Sequence, residues 1–190
     1  MSEPPLDLAS QLEQRGALLR GHFRLSSGRH SDRFVQKFRI LECPALLEAV
    51  GREIAARFRD AHPTVVVGAA VGGILVAYEV ARALGTKAIF VEKENGVPTL
   101  RRGFQLTDRD RALVVEDVVT TGLSVDEVIR VVRERGASVA GVGAIVARGE
   151  LAFDVPTHAL LHLPLLSYEE AECPQCRAGE PLSDPGSRRV

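Results

Sequence analysis

The segment ALVVEDVVTTGLS, residues 112–124, restricts the possible folds of this chain more than any other stretch. Its apolar start predicts a buried strand of a parallel sheet, and Glu116 and Asp117 follow at the predicted carboxyl end of that strand. Open α/β sheets bind their ligands at this edge. The hydroxyl-rich turn at residues 120–124 opens a helix and offers N–H and O–H donors to a phosphate. An acid pair beside a phosphate cradle predicts a site for a phosphorylated sugar.

Strands and helices alternate on both sides of this segment. Apolar runs predict strands at residues 64–67, 87–91, 112–115, 139–146 and 160–163, and helical patterns fall at 6–19, 45–59 and 74–84. After the motif, Ser124 and Glu127 form a capping-box pattern for a helix that ends at Gly136. This alternation predicts an α/β fold with a doubly wound, mainly parallel sheet flanked by helices.

We expect a single domain over residues 1–190, because a chain of this length suffices for one hydrophobic core. An N-terminal helix and hood are predicted at 1–40, with two short strands around a loop at 26–28. The α/β core is predicted at 62–165, and residues 180–190 have the composition of a flexible tail.

A second loop of small residues, GAAVGG at 68–73, follows the strand at 64–67 and opens a helix. Small side chains let the backbone approach a ligand, and a helix N-terminus favours an anion. The loop is neither a Walker A loop nor a G-x-G-x-x-G dinucleotide loop. On its own it is equally consistent with a tight strand–helix turn. Beside the motif at 112–124, it predicts a second phosphate site.

The polar stretch at 92–110 predicts a long mobile loop or hairpin, with Lys93, Arg101 and Arg102 as its candidate catalytic cations. A basic loop that closes over a substrate excludes water from a reactive sugar cation. A solvated surface hairpin is the alternative, since charged loops commonly have no other role.

Composition excludes several function classes. The net charge of −1 does not indicate a nucleic-acid or membrane partner. No apolar stretch reaches transmembrane length, and the N-terminus lacks the basic start and apolar region of a signal peptide. We therefore expect a cytoplasmic protein.

Three cysteines are too few for a disulfide framework. Cys173 and Cys176 form a C-P-Q-C pair, which is half of a four-ligand zinc site. The sequence contains no second cysteine pair, so such a site would be shared between two subunits, and two plain thiols in a turn are the alternative. We interpret His30 as a loop residue, and His158 and His162 as structural because no third ligand accompanies them.

The motif at 112–124 resembles the phosphoribosyl-diphosphate signature of type I phosphoribosyltransferases, and GAAVGG is similar to the diphosphate loop of that family. The resemblance implies the fold of that family and a displacement of diphosphate at the anomeric carbon of ribose by a nitrogen base. It also implies Mg²⁺, bound through the diphosphate and the ribose hydroxyls near Glu116 and Asp117, and catalytic roles for Asp117, Lys93, Arg101 and Arg102. The implied phosphoribosyl-diphosphate contacts are Ala70, Val71, Gly72, Gly73, Lys93, Glu116, Asp117, Val118, Val119, Thr120, Thr121, Gly122, Leu123 and Ser124.

The segment at 23–36, FRLSSGRHSDRFVQ, resembles the N-terminal segment of orotate phosphoribosyltransferases, and ECPQCRAGEPL resembles one branch of them. That family transfers the phosphoribosyl group to orotate, giving orotidine 5′-monophosphate in pyrimidine synthesis. The resemblance implies that Ser27, Phe34, Thr120 and Arg148 contact orotate, and that two copies form a homodimer in which the basic loop reaches the partner's site.

The sequence departs from that family at two positions where many members carry lysine, which here are Ser26 and Gly72. We expect arginines to replace them at the diphosphate, with Arg29 or Lys37 filling the N-terminal gap. A purine phosphoribosyltransferase and a non-catalytic sensor of phosphoribosyl diphosphate stay open as alternatives. The segment at 23–36 and Arg148 argue against the first, and the basic loop argues against the second.

Overall fold

The predicted parallel sheet is present in the computed structural model, which describes residues 6–25, 27–164 and 166–185. The helices and strands of the described residues, in chain order, are α1 (Leu8–Gln14), β1 (Leu18–Arg24), β2 (His30–Val35), α2 (Phe38–Leu41), α3 (Pro44–Phe58), β3 (Val65–Ala69), α4 (Gly72–Leu84), β4 (Lys87–Glu94), β5 (Val97–Leu100), β6 (Arg111–Val119), α5 (Leu123–Glu134), β7 (Ser138–Ala147), β8 (Thr157–His162) and α6 (Pro174–Arg177). None of the described helices is long and apolar enough to cross a membrane.

Six strands form the central sheet in the order β5-β4-β3-β6-β7-β8. Neighbouring strands are parallel except β4 and β5, which form an antiparallel hairpin. The chain moves to one side from β3 to β4 through α4, and to the other side from β6 to β7 through α5. The two directions diverge between β3 and β6, which is where a doubly wound sheet opens a crevice for a ligand.

Successive side chains of a strand point to opposite faces of the sheet, and here the apolar residues of β3 and β6 supply both faces. Helices therefore cover the sheet on both sides. On one face α3 and α4 pack in a cluster that includes Val66 and Leu113. On the other face α5 buries Val128 and Val132 in a cluster that includes Val114. The helix predicted after the motif is therefore confirmed, and it packs on the sheet through one apolar face.

An antiparallel hairpin of β1 and β2, called the hood here, lies outside the central sheet. Its strands flank the predicted loop at 26–28, of which Ser26 lies outside the described residues. The C-terminal segment, defined here as residues 166–185, runs beside β1 at Ser183. The Ser183 N–H donates to the His22 carbonyl, and the Arg24 N–H donates to the Ser183 carbonyl. The predicted flexible tail at 180–190 is thus attached to the hood at Ser183, and residues 186–190 lie outside the described residues.

Two predicted element ends are wrong. The first helix was expected over 6–19 but ends at Gln14, because Leu18 and Leu19 pair with Val35 and Phe34 in the hood. The motif strand was expected to end at the acid pair, but β6 continues to Val119 because its last residues pair with β7. The acids therefore lie inside a paired strand.

The predicted capping box is also wrong. Gly122 is the N-cap of α5, and no side chain forms a capping hydrogen bond at that end. Ser124 lies inside the first turn, and Glu127 forms an ion pair with Lys93 instead. The N-cap is thus Gly122, two residues before Ser124, which the capping-box pattern indicates as the N-cap.

Candidate active site

A cavity of about 440 Å³ opens where the chain directions diverge between β3 and β6. Its walls come from the hood, the turn after β3, the carboxyl half of β6 with the turn that follows, and the residue after β7. Predicted phosphoribosyl-diphosphate contacts that line it are Ala70, Val71, Gly72, Glu116, Asp117, Val118, Thr120 and Ser124. Predicted orotate contacts that line it are Phe34, Thr120 and Arg148. The structure thus brings residues from distant parts of the chain to one cavity.

Other predicted contacts lie beside the cavity. Val119, Thr121, Gly122 and Leu123 line a small adjoining recess, together with Glu116 and Thr120. Gly73 is buried in the first turn of α4 and does not line the cavity. Ser27 is exposed and is not among the lining residues, although its neighbour Gly28 is.

The three predicted catalytic cations, Lys93, Arg101 and Arg102, lie on or just after the hairpin of β4 and β5 and do not line the cavity. Each is held by an acidic side chain. The Lys93 ammonium lies 2.9 Å from a carboxylate oxygen of Glu127 on α5. Arg102 donates two hydrogen bonds to Glu92, at 2.8 and 3.1 Å, and Arg101 lies 3.2 Å from Glu94. In this conformation each of the three cations is paired with an acidic side chain of the hairpin or of α5, and the catalytic roles of these residues stay a prediction.

Sequence reasoning missed several residues of the cavity wall. Arg24, Leu25 and Val35 belong to the hood, and Asp184 belongs to the C-terminal segment. No local pattern marks these residues, since their place depends on how the hood and the C-terminal segment pack. Of the two replacements considered for the missing lysine, Lys37 lines the cavity, whereas Arg29 forms an ion pair with Glu169.

The acid pair lies at the floor of the cavity, and Asp117 forms an ion pair there with Lys37. The Lys37 ammonium lies 2.9 Å from Oδ2 and 3.2 Å from Oδ1 of Asp117. The Asp117 N–H donates to Glu116 Oε1 at 3.0 Å, and the Val118 N–H donates to Asp117 Oδ1 at 2.6 Å. Both carboxyls are buried, at 8% and 2% exposure. Two acids therefore share one lysine in a region of low dielectric.

This arrangement keeps Glu116 neutral near pH 7. Burial, and then the negative charge of Asp117, raise the pKa of Glu116 to about 8. Asp117 holds the ion pair with Lys37, so the two acids differ in charge although they are neighbours. A cation that arrives with a ligand would favour the ionised form of Glu116.

The raised pKa predicts a specific dependence of stability on pH. Between an ordinary glutamate pKa and about 8, the unfolded chain has lost the Glu116 proton while the folded chain retains it. The stability that this proton contributes is complete at low pH and is lost as pH rises through about 8. We expect wild type to lose on the order of 2–4 kcal/mol of unfolding free energy relative to Glu116→Gln between pH of about 5 and 9. Urea unfolding of both proteins over that range measures the difference, and parallel curves would contradict the assignment.

The turn after β3 brings backbone close to the acid pair. A Cβ on Gly72 would lie 1.6 Å from Oδ2 of Asp117, and a Cβ on Gly68 would lie 2.1 Å from the carbonyl oxygen of Gly73. The peptide bond between Ala70 and Val71 in this turn is cis. Glycine is thus required at 72 for the observed position of the Asp117 carboxylate, and the GAAVGG loop and the motif form one structural unit.

The turn at 120–124 leaves the first backbone N–H groups of α5 free of side-chain caps. Thr120 and Thr121 are exposed, and the Leu123 N–H makes only a long contact of 3.5 Å with the Thr121 hydroxyl. Free N–H groups and two hydroxyls at the start of a twelve-residue helix are suited to an anion. The second turn of the same kind, at the start of α4, lies on the neighbouring strand of the sheet.

Arg148 is the third charged feature of the wall. It follows β7, is half-buried, and burial lowers the pKa of its guanidinium. Within the described part of the chain, its buried Nε has no hydrogen-bond partner. A half-buried arginine at a cavity wall with an unpaired N–H group is suited to an anionic ligand.

A second polar cluster lies away from the cavity. His30 was interpreted as a loop residue, but it begins β2 and is 1% exposed, because its backbone pairs with Tyr168. His22 on β1 lies against it, and Cys173 and Cys176 approach both rings. The C-P-Q-C pair therefore has two histidine neighbours in its own chain.

Comparisons with known proteins show which proteins this chain is similar to. Residues 38–160 match the family model of the phosphoribosyl transferase domain. The chain is 50% identical over 186 residues to orotate phosphoribosyltransferase of Pelotomaculum thermopropionicum. This alignment covers 97% of this chain and 98% of the relative. It is 47% identical over 190 residues to the enzyme of the same name from Caldanaerobacter subterraneus subsp. tengcongensis, covering 99% and 98%. The crystal structure of orotate phosphoribosyltransferase from Aeropyrum pernix superposes with a TM-score of 0.70 at 30% identity, covering 82% of this chain and 93% of that one.

Proposed function

Because the chain belongs to the orotate phosphoribosyltransferase family, we propose that the cavity between β3 and β6 is where phosphoribosyl diphosphate and orotate react. The chain is a transferase that moves the 5-phosphoribosyl group from phosphoribosyl diphosphate to orotate, and orotidine 5′-monophosphate and diphosphate are the products. This reaction belongs to pyrimidine synthesis. The observation that carries the assignment of the cavity is the meeting of two turns at helix starts, an acid pair and Arg148, whose Nε has no hydrogen-bond partner among the described residues, in one crevice.

The sugar phosphate has a defined place in this proposal. The free N–H groups and hydroxyls at 120–124 bind the 5-phosphate, and the turn at 70–73 binds the diphosphate. The ribose then spans the two turns, and its hydroxyls lie over Glu116 and Asp117. The Asp117 carboxylate accepts hydrogen bonds from these hydroxyls, and Lys37, now near the diphosphate, offsets part of the negative charge.

The carboxylate oxygens of Glu116 and Asp117, together with the diphosphate oxygens, fit Mg²⁺. This ion takes carboxylate and phosphate oxygens and is bound in proteins through few carboxylates. We place it near Glu116 and Asp117, held mainly by the diphosphate and the ribose hydroxyls. When bound, it would neutralise the charge that gathers on the diphosphate as the bond to the anomeric carbon breaks.

Orotate has a place on the opposite wall. Its carboxylate pairs with the Arg148 guanidinium, Thr120 donates or accepts a hydrogen bond at the ring, and Phe34 packs beside the ring. Ser27 lies in the loop next to Gly28, which lines the cavity, and its contact with orotate is part of the same proposal.

The reaction is then a displacement in which one bond breaks and one forms. The bond from the anomeric carbon to the diphosphate oxygen breaks, and its electron pair leaves with the diphosphate. A ring N–H nitrogen of orotate bonds to that carbon and releases its proton to solvent. Positive charge develops on the sugar, as in other glycosyl transfers, and Asp117 lies below it. The hairpin that carries Lys93, Arg101 and Arg102 in a second copy of the chain reaches the diphosphate by a movement that would also exclude water.

The choice of base is tested by offering several bases together. Wild-type protein is incubated with phosphoribosyl diphosphate, Mg²⁺ and equal amounts of orotate, adenine, guanine and hypoxanthine, and nucleotide products are identified by mass. We expect orotidine 5′-monophosphate as the dominant product. A purine nucleotide as the dominant product would overturn the orotate pocket while leaving the sugar chemistry in place.

We further propose that two copies form a homodimer with shared active sites. Val71, Leu75 and Tyr78 expose 73%, 47% and 62% of their surface along one side of α4, directly beside the turn that lines the cavity. An apolar stripe at this spacing is suited to a second copy of the same helix. The basic hairpin does not reach the cavity of its own chain, and a partner would bring its hairpin close.

A complementation assay tests the shared site. Arg102→Ala and Asp117→Asn each remove activity, and a mixture with exchanged subunits should recover up to about a quarter of wild-type activity, because one intact site forms in mixed dimers. Two proteins that both carry Asp117→Asn are the matched control and should stay inactive. If exchange is proven by differently tagged chains and activity does not return, the hairpin serves its own chain.

The cytoplasmic location, and the expectation that neither nucleic acid nor membrane is a partner, stay predictions from the sequence.

A further inference from the structure

Four side chains with metal-ligating atoms converge beneath the hood, outside the proposed active site. His22 lies on β1 and His30 on β2, while Cys173 precedes α6 and Cys176 lies in it. Their ligand atoms all lie within 4.8 Å of one another. His22, His30 and Cys173 are buried, and Cys176 is half-buried. Residues more than 140 positions apart thus present two imidazoles and two thiols to one point.

Four of the six distances between these atoms match the edges of a small tetrahedron, and all six are within 4.8 Å. His22 Nε2 lies 3.1 Å from His30 Nδ1, 3.5 Å from Cys173 Sγ and 3.6 Å from Cys176 Sγ. His30 Nδ1 lies 3.2 Å from Cys176 Sγ. A tetrahedral zinc ion with ordinary bond lengths separates two nitrogens by about 3.3 Å and a nitrogen from a sulfur by about 3.5 Å. The cluster therefore has the size of a zinc coordination shell.

The protonation of His22 supports the same conclusion. The Nδ1 atom of His22 lies 2.9 Å from the backbone carbonyl of Glu180, which can only accept, so Nδ1 carries the proton. Nε2 then presents a lone pair to His30 and to both sulfurs. A histidine fixed in this way by a backbone carbonyl is the usual outer support of a metal ligand.

We propose that His22, His30, Cys173 and Cys176 bind one Zn²⁺ in each chain. Two thiolates with two neutral imidazoles in a tetrahedron are typical of zinc, and the C-x-x-C spacing is a usual source of the two sulfurs. All four positions are filled by protein, so the ion is structural and takes no part in the transfer reaction. This assignment does not depend on the proposed function of the cavity.

The ion joins the hood to the C-terminal segment, and both line the cavity. Around it, His30 exchanges two backbone hydrogen bonds with Tyr168, and the Gln175 amide donates to the Gly21 carbonyl at 2.8 Å. The hood carries Arg24 and Phe34 into the cavity wall, and the C-terminal segment carries Asp184. Zinc would thus fix the outer wall of the cavity and contribute to folding stability.

Metal content tests the proposal directly. The full chain is purified without a metal-binding tag, dialysed, and measured by elemental mass spectrometry. We expect one zinc per chain in wild type and at least a tenfold loss in Cys173→Ser/Cys176→Ser. Cys43→Ser is the matched control, because Cys43 lies before α3 and outside the cluster, and this variant should keep its zinc.

A second measurement keeps the proposal testable if the double variant does not fold. Zinc is removed from wild type by a strong chelator, and Co²⁺ is added in its place. We expect the visible bands of tetrahedral cobalt bound to thiolate, and a melting temperature that falls on chelation and returns with Zn²⁺. Wild type that neither contains nor takes up zinc would overturn the proposal. A Cys173–Cys176 disulfide that persists in reducing buffer, or full zinc content in the double variant, would do the same.

Discussion

Replacing Arg148 with alanine is expected to raise the KM for orotate by about two to three orders of magnitude and to leave the KM for phosphoribosyl diphosphate within a few fold. Removing one partner of a desolvated charge pair costs roughly 2–5 kcal/mol, because the other charge stays without its partner. Arg148 is half-buried, and its Nε has no hydrogen-bond partner in the described part of the chain. No internal contact of this atom therefore takes the place of its bond to orotate.

Two variants separate this effect from a general loss of charge. Arg148→Lys keeps the charge but cannot form two parallel hydrogen bonds with a carboxylate, so it should recover only part of the affinity. Arg133→Ala removes an arginine that pairs with Asp154 on the surface, and it should change neither KM. An unchanged KM for orotate in Arg148→Ala, with a raised KM for phosphoribosyl diphosphate, would place this residue at the phosphate instead.

Replacing Gly72 with alanine is expected to lower kcat/KM by about 10²- to 10³-fold, the range found when one preorganised polar group is displaced from its place at developing charge. The new Cβ would lie 1.6 Å from Oδ2 of Asp117 and 3.3 Å from Leu41, so the carboxylate has to rotate away. Gly72 is the first residue of α4, where alanine is a better helix former than glycine, so the fold should not lose stability. Steady-state kinetics and a urea titration measure the two effects separately.

The route of this effect is tested by a double-mutant cycle on the dissociation constant of phosphoribosyl diphosphate, since the Asp117→Asn protein has no turnover to measure. If Gly72→Ala acts by moving the Asp117 carboxylate, it should cost little in an Asp117→Asn background, because that group has already lost its charge. Equal losses in both backgrounds would mean that the methyl group blocks the diphosphate directly. Loss of stability in Gly72→Ala would point to the turn as a whole.

Local patterns predicted the parts of this molecule that depend on local physics. The apolar run before Glu116, the hydroxyls at 120–124 and the glycines at 68–73 fix a strand, a helix start and a tight turn within a few residues each. Parallel strands end at one edge of the sheet, so the topology places the acid pair, the hydroxyl-rich turn and the glycine-rich turn at one cavity.

Long-range packing determined what the sequence could not predict. Leu18 and Leu19 have a helical pattern but become a strand, because their partners lie on β2. In the sequence the two cysteines are half a motif, because the histidines that face them lie more than 140 residues away. Arg24 and Asp184 reach the cavity only because the C-terminal segment lies along the hood. Pairing across such separations leaves no periodic signal.

The central claim is that this cavity joins orotate to the phosphoribosyl group, and one spectrophotometric measurement tests it most directly. Wild-type protein is mixed with orotate and phosphoribosyl diphosphate, and the absorbance of orotate is followed before and after Mg²⁺ is added. Absorbance should fall only after Mg²⁺ is added, in proportion to the phosphoribosyl diphosphate supplied, and it should stay constant with Asp117→Asn. Constant absorbance with wild type, while phosphoribosyl diphosphate still binds, would contradict the account.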